Sequence, residues 1–295
     1  MATVHGVYVS SHRPLYLPHK VDQIPTMVDE REQIFNHYIN ELRNRYAVNT
    51  RVQSPSFKLK QALISLATFG YGNEAVIPND EARDSFEGFQ TVLERVLPSS
   101  LGFRGLKVSV PDVLLETTSG EFAFDAVSGG ISALIDISWQ MHLYSRLHPE
   151  FVAVIDEPEA HLHPELQQRV LPSLLEAFPG VQLVVATHNP FVVGSTPDSS
   201  VYALRYNADG TVASEVLSDI NKAGTSNEIL REVLGLETTS GLWVGRRVRE
   251  IVERYWGSEL SSEILRKVRD ELRLVGLGRY VPDAIEQLVD SGDDE

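Results

Sequence analysis

Two adjacent carboxylates, Asp156 and Glu157, end the apolar run Phe151-Val152-Ala153-Val154-Ile155. Five apolar residues rich in β-branched types predict a buried strand, and a proline-opened helix follows within a few residues. In an open α/β sheet, ligands bind in the crevice beyond the carboxyl ends of the strands, so the pair would face that crevice. One carboxylate there can hold a magnesium ion, usually through water. The other can face a nucleotide's terminal phosphate and take a proton from attacking water. A pair so placed could serve phosphoryl transfer to water, or be no more than an acidic strand end before a turn.

Two further segments must position such a pair. Gln182-Leu183-Val184-Val185-Ala186 predicts a second buried strand, ending in Thr187-His188-Asn189-Pro190. A histidine at the end of a neighbouring strand can hydrogen-bond a γ-phosphate or position water. Upstream, Ser128-Gly129-Gly130 precedes a long apolar helix running from Ile131 to the region of Arg146. Small residues at a helix N-terminus let backbone N–H groups and the serine hydroxyl approach an anion closely.

In this order, the segment 108–205 resembles the signature-to-switch half of an ABC/SMC-like ATPase. More narrowly, it is similar to the AAA family ATPases related to the RecF and OLD (overcoming-lysogenization-defect) proteins. The wording Asp156-Glu157-Pro158-Glu159-Ala160-His161-Leu162-His163-Pro164 carries the resemblance, together with Thr187-His188-Asn189-Pro190 and a signature-like Ser128-Gly129-Gly130. The resemblance implies an α/β, P-loop NTPase-like (ABC-type) sheet core, with an inserted helical subdomain that carries the signature helix. It implies ATP and Mg2+ as cofactors, with Asp156 serving magnesium, Glu157 polarising water and His188 sensing the γ-phosphate. The stretch from Glu159 through His161 to His163 takes the D-loop role toward a second subunit. Ser128, Gly129 and Gly130 would contact nucleotide held by the opposite protomer, so the active unit is a head-to-tail pair.

One element of that pattern is missing. A P-loop needs G-x-x-x-x-G-K-[ST], and none of Lys20, Lys58, Lys60, Lys107, Lys222 and Lys267 follows a glycine. The run Gly6-Val7-Tyr8-Val9-Ser10 resembles the strand that normally comes well after the P-loop helix. The chain therefore reads as an ATPase core without its N-terminal lobe, through truncation, a mis-assigned start, or a lobe carried by another polypeptide.

Bulk properties bound the alternatives. The chain has 295 residues, 42% hydrophobic and 23% charged, ordinary for a globular protein with a real core. A formal net charge of −15 argues against a broad basic surface for nucleic acid, though a dimer could still form a local basic groove. With no cysteine, the chain has neither disulfide nor cysteine-ligated zinc, which suits a cytoplasmic location. No apolar run approaches the roughly 20 residues needed to span a bilayer.

Helical periodicity is predicted over Val28–Tyr46, Leu59–Phe69 and Phe86–Leu97, the last two separated by a loop containing Gly72, Asn73, Pro78, Asn79 and Asp80. These helices, within 28–100, form the expected helical subdomain. Val113 to Phe124 predicts a hairpin turning at Ser119-Gly120. Val201–Arg205 and Val212–Leu217 predict strands about a turn at 207–210. The expected core spans 1–225, and 226–295 is a helical C-terminal extension with an acidic tail. Arg13, after Ser10-Ser11-His12, reads as a surface arginine ahead of one that approaches nucleotide or a partner, and the cluster Arg246, Arg247 and Arg249 as a solvated helix face ahead of a partner or DNA contact. His161 and His163, two apart, share a helix face too poorly for a metal pair.

The expected function is an ATP-binding and hydrolysing module whose dimer closure drives a DNA-linked or defence-linked effector, such as a separate nuclease. It would act as a homodimer or with a Walker A-containing subunit. The alternative is a non-catalytic subunit that supplies signature motif or dimer interface in trans. The helical region after Ser226 is too short, and too poor in carboxylates at strand ends, for a nuclease of its own.

Overall fold

The computed structural model describes residues 4–13, 16, 18–25, 33–36, 38–40, 55–207, 209–217, 224–230, 241–256 and 261–290. It divides into two compact units. The first is Met1–Tyr202 with Ser218–Ala223, and the second is Ala203–Leu217 with Gly224–Glu295.

The site-bearing sheet of the first unit has three parallel strands, β1 (Gly6–Val9), β5 (Phe151–Asp156) and β6 (Val181–Ala186), in the order β1-β5-β6. The register sets Val9 beside Ile155 and Asp156 beside Ala186, so the ends of β5 and β6 lie level. Parallel neighbours need a long crossover. Here the crossover from β1 to β5 contains the helical region and a second, antiparallel sheet. That sheet comprises β2 (Phe103–Ser109), β3 (Asp112–Thr117) and β4 (Gly120–Ala123).

Helix α1 (Pro55–Tyr71) packs on α2 (Asp80–Val96), and α2 packs on α3 (Gly129–Leu147). Local sequence dictates α2 well. Asn79 caps its first turn by accepting from the Ala82 N–H, Asp80 and Glu81 sit at its positive end, and Arg95 at its negative end. Phe86, Phe89, Leu93 and Val96 line its buried face. Helix α3 is buried on every side from Ile131 to Leu143, which explains its near-continuous apolar run. Helix α4 (Pro164–Ala177) follows β5, and the short α5 (Pro190–Val193) follows β6.

The second unit holds the hairpin β7 (Tyr202–Tyr206, which begins at the unit boundary) and β8 (Val212–Val216). It also holds helices α6 (Leu242–Val252), α7 (Ser262–Leu274) and α8 (Val281–Asp290). Val248, Val252, Val268, Leu272, Ala284 and Leu288 make its separate apolar core.

Two expectations need correction. Strands β5 and β6 are half-buried, because Val7, Val9, Ala153 and Ile155 face the core while Tyr8, Val154 and Val184 are exposed in one row across the sheet. Contact clustering within the chain puts the residues of the two-stranded hairpin, from Ala203 on, in the second unit. Strand β2 extends the expected hairpin to a three-stranded sheet, with Leu106 beside Leu115 supplying the apolar contact. The helix predicted over 28–46 lies largely outside the described residues, which are helical at 33–36 and 38–40, and the acidic tail lies outside them too. Among the described residues, no helix is long and apolar enough to cross a membrane.

Candidate functional site

The level ends of β5 and β6 bring two of the expected residues together. Glu157 and His188 lie one residue and two residues beyond their strands, and Glu157 Oε1 is 3.5 Å from His188 Nδ1. This is contact distance rather than a tight hydrogen bond. Both side chains are accessible, at 41% for Glu157 and 79% for His188, so a ligand in the crevice could reach either. The Glu157 N–H donates to the Ala186 carbonyl at 2.9 Å and carries the strand pairing one residue past the sheet.

The loop after Asp156 is tightly wound. Glu157 and His161 both adopt left-handed backbone, φ 45° and 69°, an arrangement non-glycine residues adopt at a cost of about 1–3 kcal/mol. Bonds from the Ala160 N–H to the Glu157 carbonyl and from the Leu162 N–H to the Glu159 carbonyl hold the two turns closed. Strain of this kind is concentrated at functional loops.

Inside the loop, Glu159 is turned inward. Its Oε1 accepts a 2.6 Å hydrogen bond from Thr187 Oγ1, the residue before His188. The outward members of this D-loop-like stretch are His161 and His163, and His163 Nδ1 caps α4 by accepting from the Glu165 N–H. Asn189, on the other side of His188, donates from Nδ2 to Gln167 Oε1 at 2.9 Å and caps α5 through Phe191.

The signature-like residues lie beside the same loop. Ser128 is exposed and caps α3 by accepting from the Ile131 N–H. Gly129 opens the helix, and its carbonyl accepts from Ser132 Oγ. Gly130 has a packing reason to be glycine: a Cβ there would sit 3.0 Å from the His161 carbonyl oxygen and 3.7 Å from Leu162.

Arg13 overturns its reading as a surface residue. It is buried, and its Nη2 donates to the Asp156 carbonyl at 3.0 Å while Nη1 reaches the Pro158 carbonyl at 3.5 Å. Burial lowers its pKa, opposed by the carboxylates of Asp136, Glu159, Asp156 and Glu157 in that order. Asp136, in the middle of α3, accepts from Tyr38 and, at 2.9 Å, from Gln140 Nε2. Burial raises its pKa, against the lowering effect of Tyr38, Arg13 and Gln140. The sequence reading missed this centre; a lone aspartate between Ile135 and Ile137 is the signal that would have found it. No comparable signal marked Arg13, whose partners lie more than 140 residues away along the chain.

Magnesium suits the donor set. The ion takes one or two carboxylates and completes its shell with water and phosphate oxygens, so Asp156 alone at a strand end is adequate. Among the described residues, no cluster of three or more His, Asp or Glu could form a dedicated protein cage.

A parallel sheet with a carboxylate and a histidine at adjacent strand ends is an α/β core whose ligand crevice lies beyond those ends. The family model described as "AAA domain, putative AbiEii toxin, Type IV TA system" matches residues 4–194, and the chain belongs to that family. Among curated relatives, the Septu protein PtuA of Bacillus thuringiensis is 27% identical over 161 residues, covering 49% of this chain and 40% of the relative. Protein ea59 of Escherichia phage lambda is 32% identical over 130 residues, 42% of this chain and 23% of its own length. The Retron Ec83 probable ATPase of Escherichia coli is 35% identical over 54 residues, 18% and 10% of the two chains. The chain thus spans less than half the length of these relatives. A solved structure titled for ATP-driven dimerization and DNA-stimulated activation of SMC ATPases superposes with TM-score 0.41 at 19% identity. It covers 53% of this chain and 94% of its own.

Proposed function

We propose that this chain is the signature-to-switch part of an ATP-binding and ATP-hydrolysing module. ATP-dependent pairing of two such modules would drive a DNA-linked or defence-linked effector, such as a separate nuclease. The observation that carries this reading is the 3.5 Å approach of Glu157 to His188 at the crevice edge. Family membership and the similarity to a probable retron ATPase support it.

In this mechanism Glu157 accepts the proton of the attacking water and fixes its direction of approach. His188 hydrogen-bonds the γ-phosphate and the same water, so nucleophile and electrophile are aligned by two side chains held on one sheet edge. Asp156 would hold magnesium, which when bound neutralises charge on the triphosphate. Ser128, Gly129 and Gly130 would offer the start of α3 to nucleotide bound by the other protomer, with His161 at the contact between the two.

When the module is assembled with a Walker A-bearing lobe, Glu157→Gln should retain ATP, accumulate closed dimers and lower phosphate release by about 10²–10⁴-fold. Size-exclusion chromatography and phosphate-release kinetics check both effects. Phosphate release at the wild-type rate would remove Glu157 from the mechanism.

A second reading is favoured by one specific observation, the lack of any G-x-x-x-x-G-K-[ST] run in the 295 residues. Four of the lysines are also engaged elsewhere: Lys60 with Asp112 and Asp125, Lys107 with Glu121, Lys58 with Gln61 and Lys267 with Glu263. On this reading the chain is a non-catalytic subunit that completes another protein's ATP site. Magnesium-dependent ATP hydrolysis by the pure chain would contradict it.

A further inference from the structure

We propose that Glu159, Thr187 and Gln167 form a clamp that positions His188, with Arg13 as its buried anchor. Its consequence for catalysis rests on the function proposed above, but the clamp itself is a matter of geometry. His188 is exposed, so little packing around the ring fixes its direction. The backbone on either side is held instead. Thr187 Oγ1 donates to Glu159 Oε1 at 2.6 Å and accepts from the Asn189 N–H at 3.0 Å. Asn189 Nδ2 donates to Gln167 Oε1, and Gln167 Nε2 donates in turn to the Leu162 carbonyl at 2.9 Å. Two arms therefore run from the switch loop to the loop after β5, one landing on Glu159 and the other on Leu162 by way of α4.

Arg13 explains why the first arm is stiff. It grips the carbonyls of Asp156 and Pro158, the residues on either side of Glu157. Its guanidinium also attracts the Glu159 carboxylate. Glu159 Oε2 and Arg13 Nε are both buried without a hydrogen-bond partner among the described residues, so charge attraction rather than a direct bond sets their spacing. A carboxylate held this way accepts a charge-assisted bond from Thr187, stronger than one between neutral groups. Glu157 and His188 are thus fixed from below by one continuous set of contacts, and neither belongs to that set through its own side chain.

The test uses the full chain without nucleotide, so its result is independent of the fate of Glu157→Gln in turnover. Removing Glu159 would leave Arg13 underneutralised and could unfold the loop, so the bond is broken from the other side. Thr187→Val is isosteric and lacks the hydroxyl, whereas Thr187→Ser keeps it. In Thr187→Val, the amides of Glu157 and Phe191 should exchange about tenfold faster than in wild type, the effect of one lost charge-assisted bond. Amides within β5 and α3 should keep their rates. Histidine-selective NMR should show the His188 ring passing from one orientation to rotamer averaging. Thr187→Ser should restore both readouts. Wild-type exchange and ring order in Thr187→Val would overturn the clamp. So would a loss of protection that spreads through β5 and α3, because the bond would then serve general stability and not His188.

Discussion

Among the described residues, the first unit of this chain has buried ion pairs beside exposed ones, whereas the pairs of the second are exposed. In the first, ionised groups are buried at the joints between elements. Lys60 is fully buried and donates to Asp112 Oδ1 at 2.5 Å, Asp125 Oδ2 at 2.7 Å and the His19 carbonyl at 2.6 Å, while the buried Arg13 feels the carboxylates of Asp136 and Glu159. In the second, an apolar core carries the packing and ion pairs such as Arg247–Glu250, Arg254–Glu271 and Lys267–Glu263 ride on exposed side chains. A buried ion is tolerated only in one geometry, because moving it away from its partner strands a charge in a poorly polarisable interior. A surface pair has no such demand. The unit in which Glu157 meets His188 is the one that contains the inflexible kind of contact.

The sharpest way to break this comparison is Lys60→Met. It would leave Asp125, whose side chain is 3% exposed, without its cation. Unfolding by urea should show a loss of about 3–5 kcal/mol. Replacing the buried pair together, as Lys60→Met with Asp125→Leu, should recover part of that loss, because it removes the stranded Asp125 charge while the 30% exposed Asp112 still loses its cation. A cost below about 1 kcal/mol for the single variant would place Lys60 with the surface pairs and erase the difference between the units.

The same division governs how much was legible in the sequence. Periodicity located α1, α3, β5 and β6 to within a few residues and the apolar face of α2, whose polar first turn from Asp80 was read as loop. The strand-end residues were legible for a related reason: Asp156, Glu157 and His188 follow their strands directly, so placing the strands places them. The open face of β5 and β6 was not legible, since an unbroken apolar run looks the same whether one face or both are covered. The joints were hidden too. Lys60 and Asp125 are 65 positions apart and Arg13 and Asp156 are 143 apart, so nothing local announces either contact. Only a lone Asp136 among apolar neighbours offers a local hint of a buried partner, without naming it; Lys60, between Lys58 and Gln61, offers none.

A smaller effect, expected at Asp136, tests whether the buried carboxylate of α3 is truly costly. Burial raises its pKa above the ordinary carboxylate value, although Tyr38, Arg13 and Gln140 oppose the shift. Between the ordinary and the raised values, the folded chain keeps a proton that the unfolded chain has released. Stability contributed by this group is therefore full below the unfolded value and is lost as pH rises through the folded one. Asp136→Asn removes the titration, so its urea midpoint should fall less steeply than that of wild type across that window. A wild-type midpoint that climbs with pH relative to Asp136→Asn would mean that Arg13 and Tyr38 outweigh desolvation.

The smallest effect belongs to the second unit and is informative because it should be small. Arg254 Nη1 meets Glu271 Oε2 at 2.9 Å, and the two side chains are 55% and 37% exposed. Water screens the pair and ordering two long side chains costs entropy, so Arg254→Ala should change unfolding free energy by no more than about 1 kcal/mol. Glu271 keeps a second partner, because the Tyr255 hydroxyl donates to its other oxygen at 2.6 Å. That bond raises the Tyr255 pKa and survives the loss of Arg254, which further limits the damage. High salt should bring wild type toward the variant, since an exposed pair is screened over about 10 Å or less at ordinary ionic strength. Lys60→Met should show no such convergence. If salt left the Arg254 effect intact while weakening that of Lys60, the assignment of rigid and loose electrostatics to the two units would be reversed.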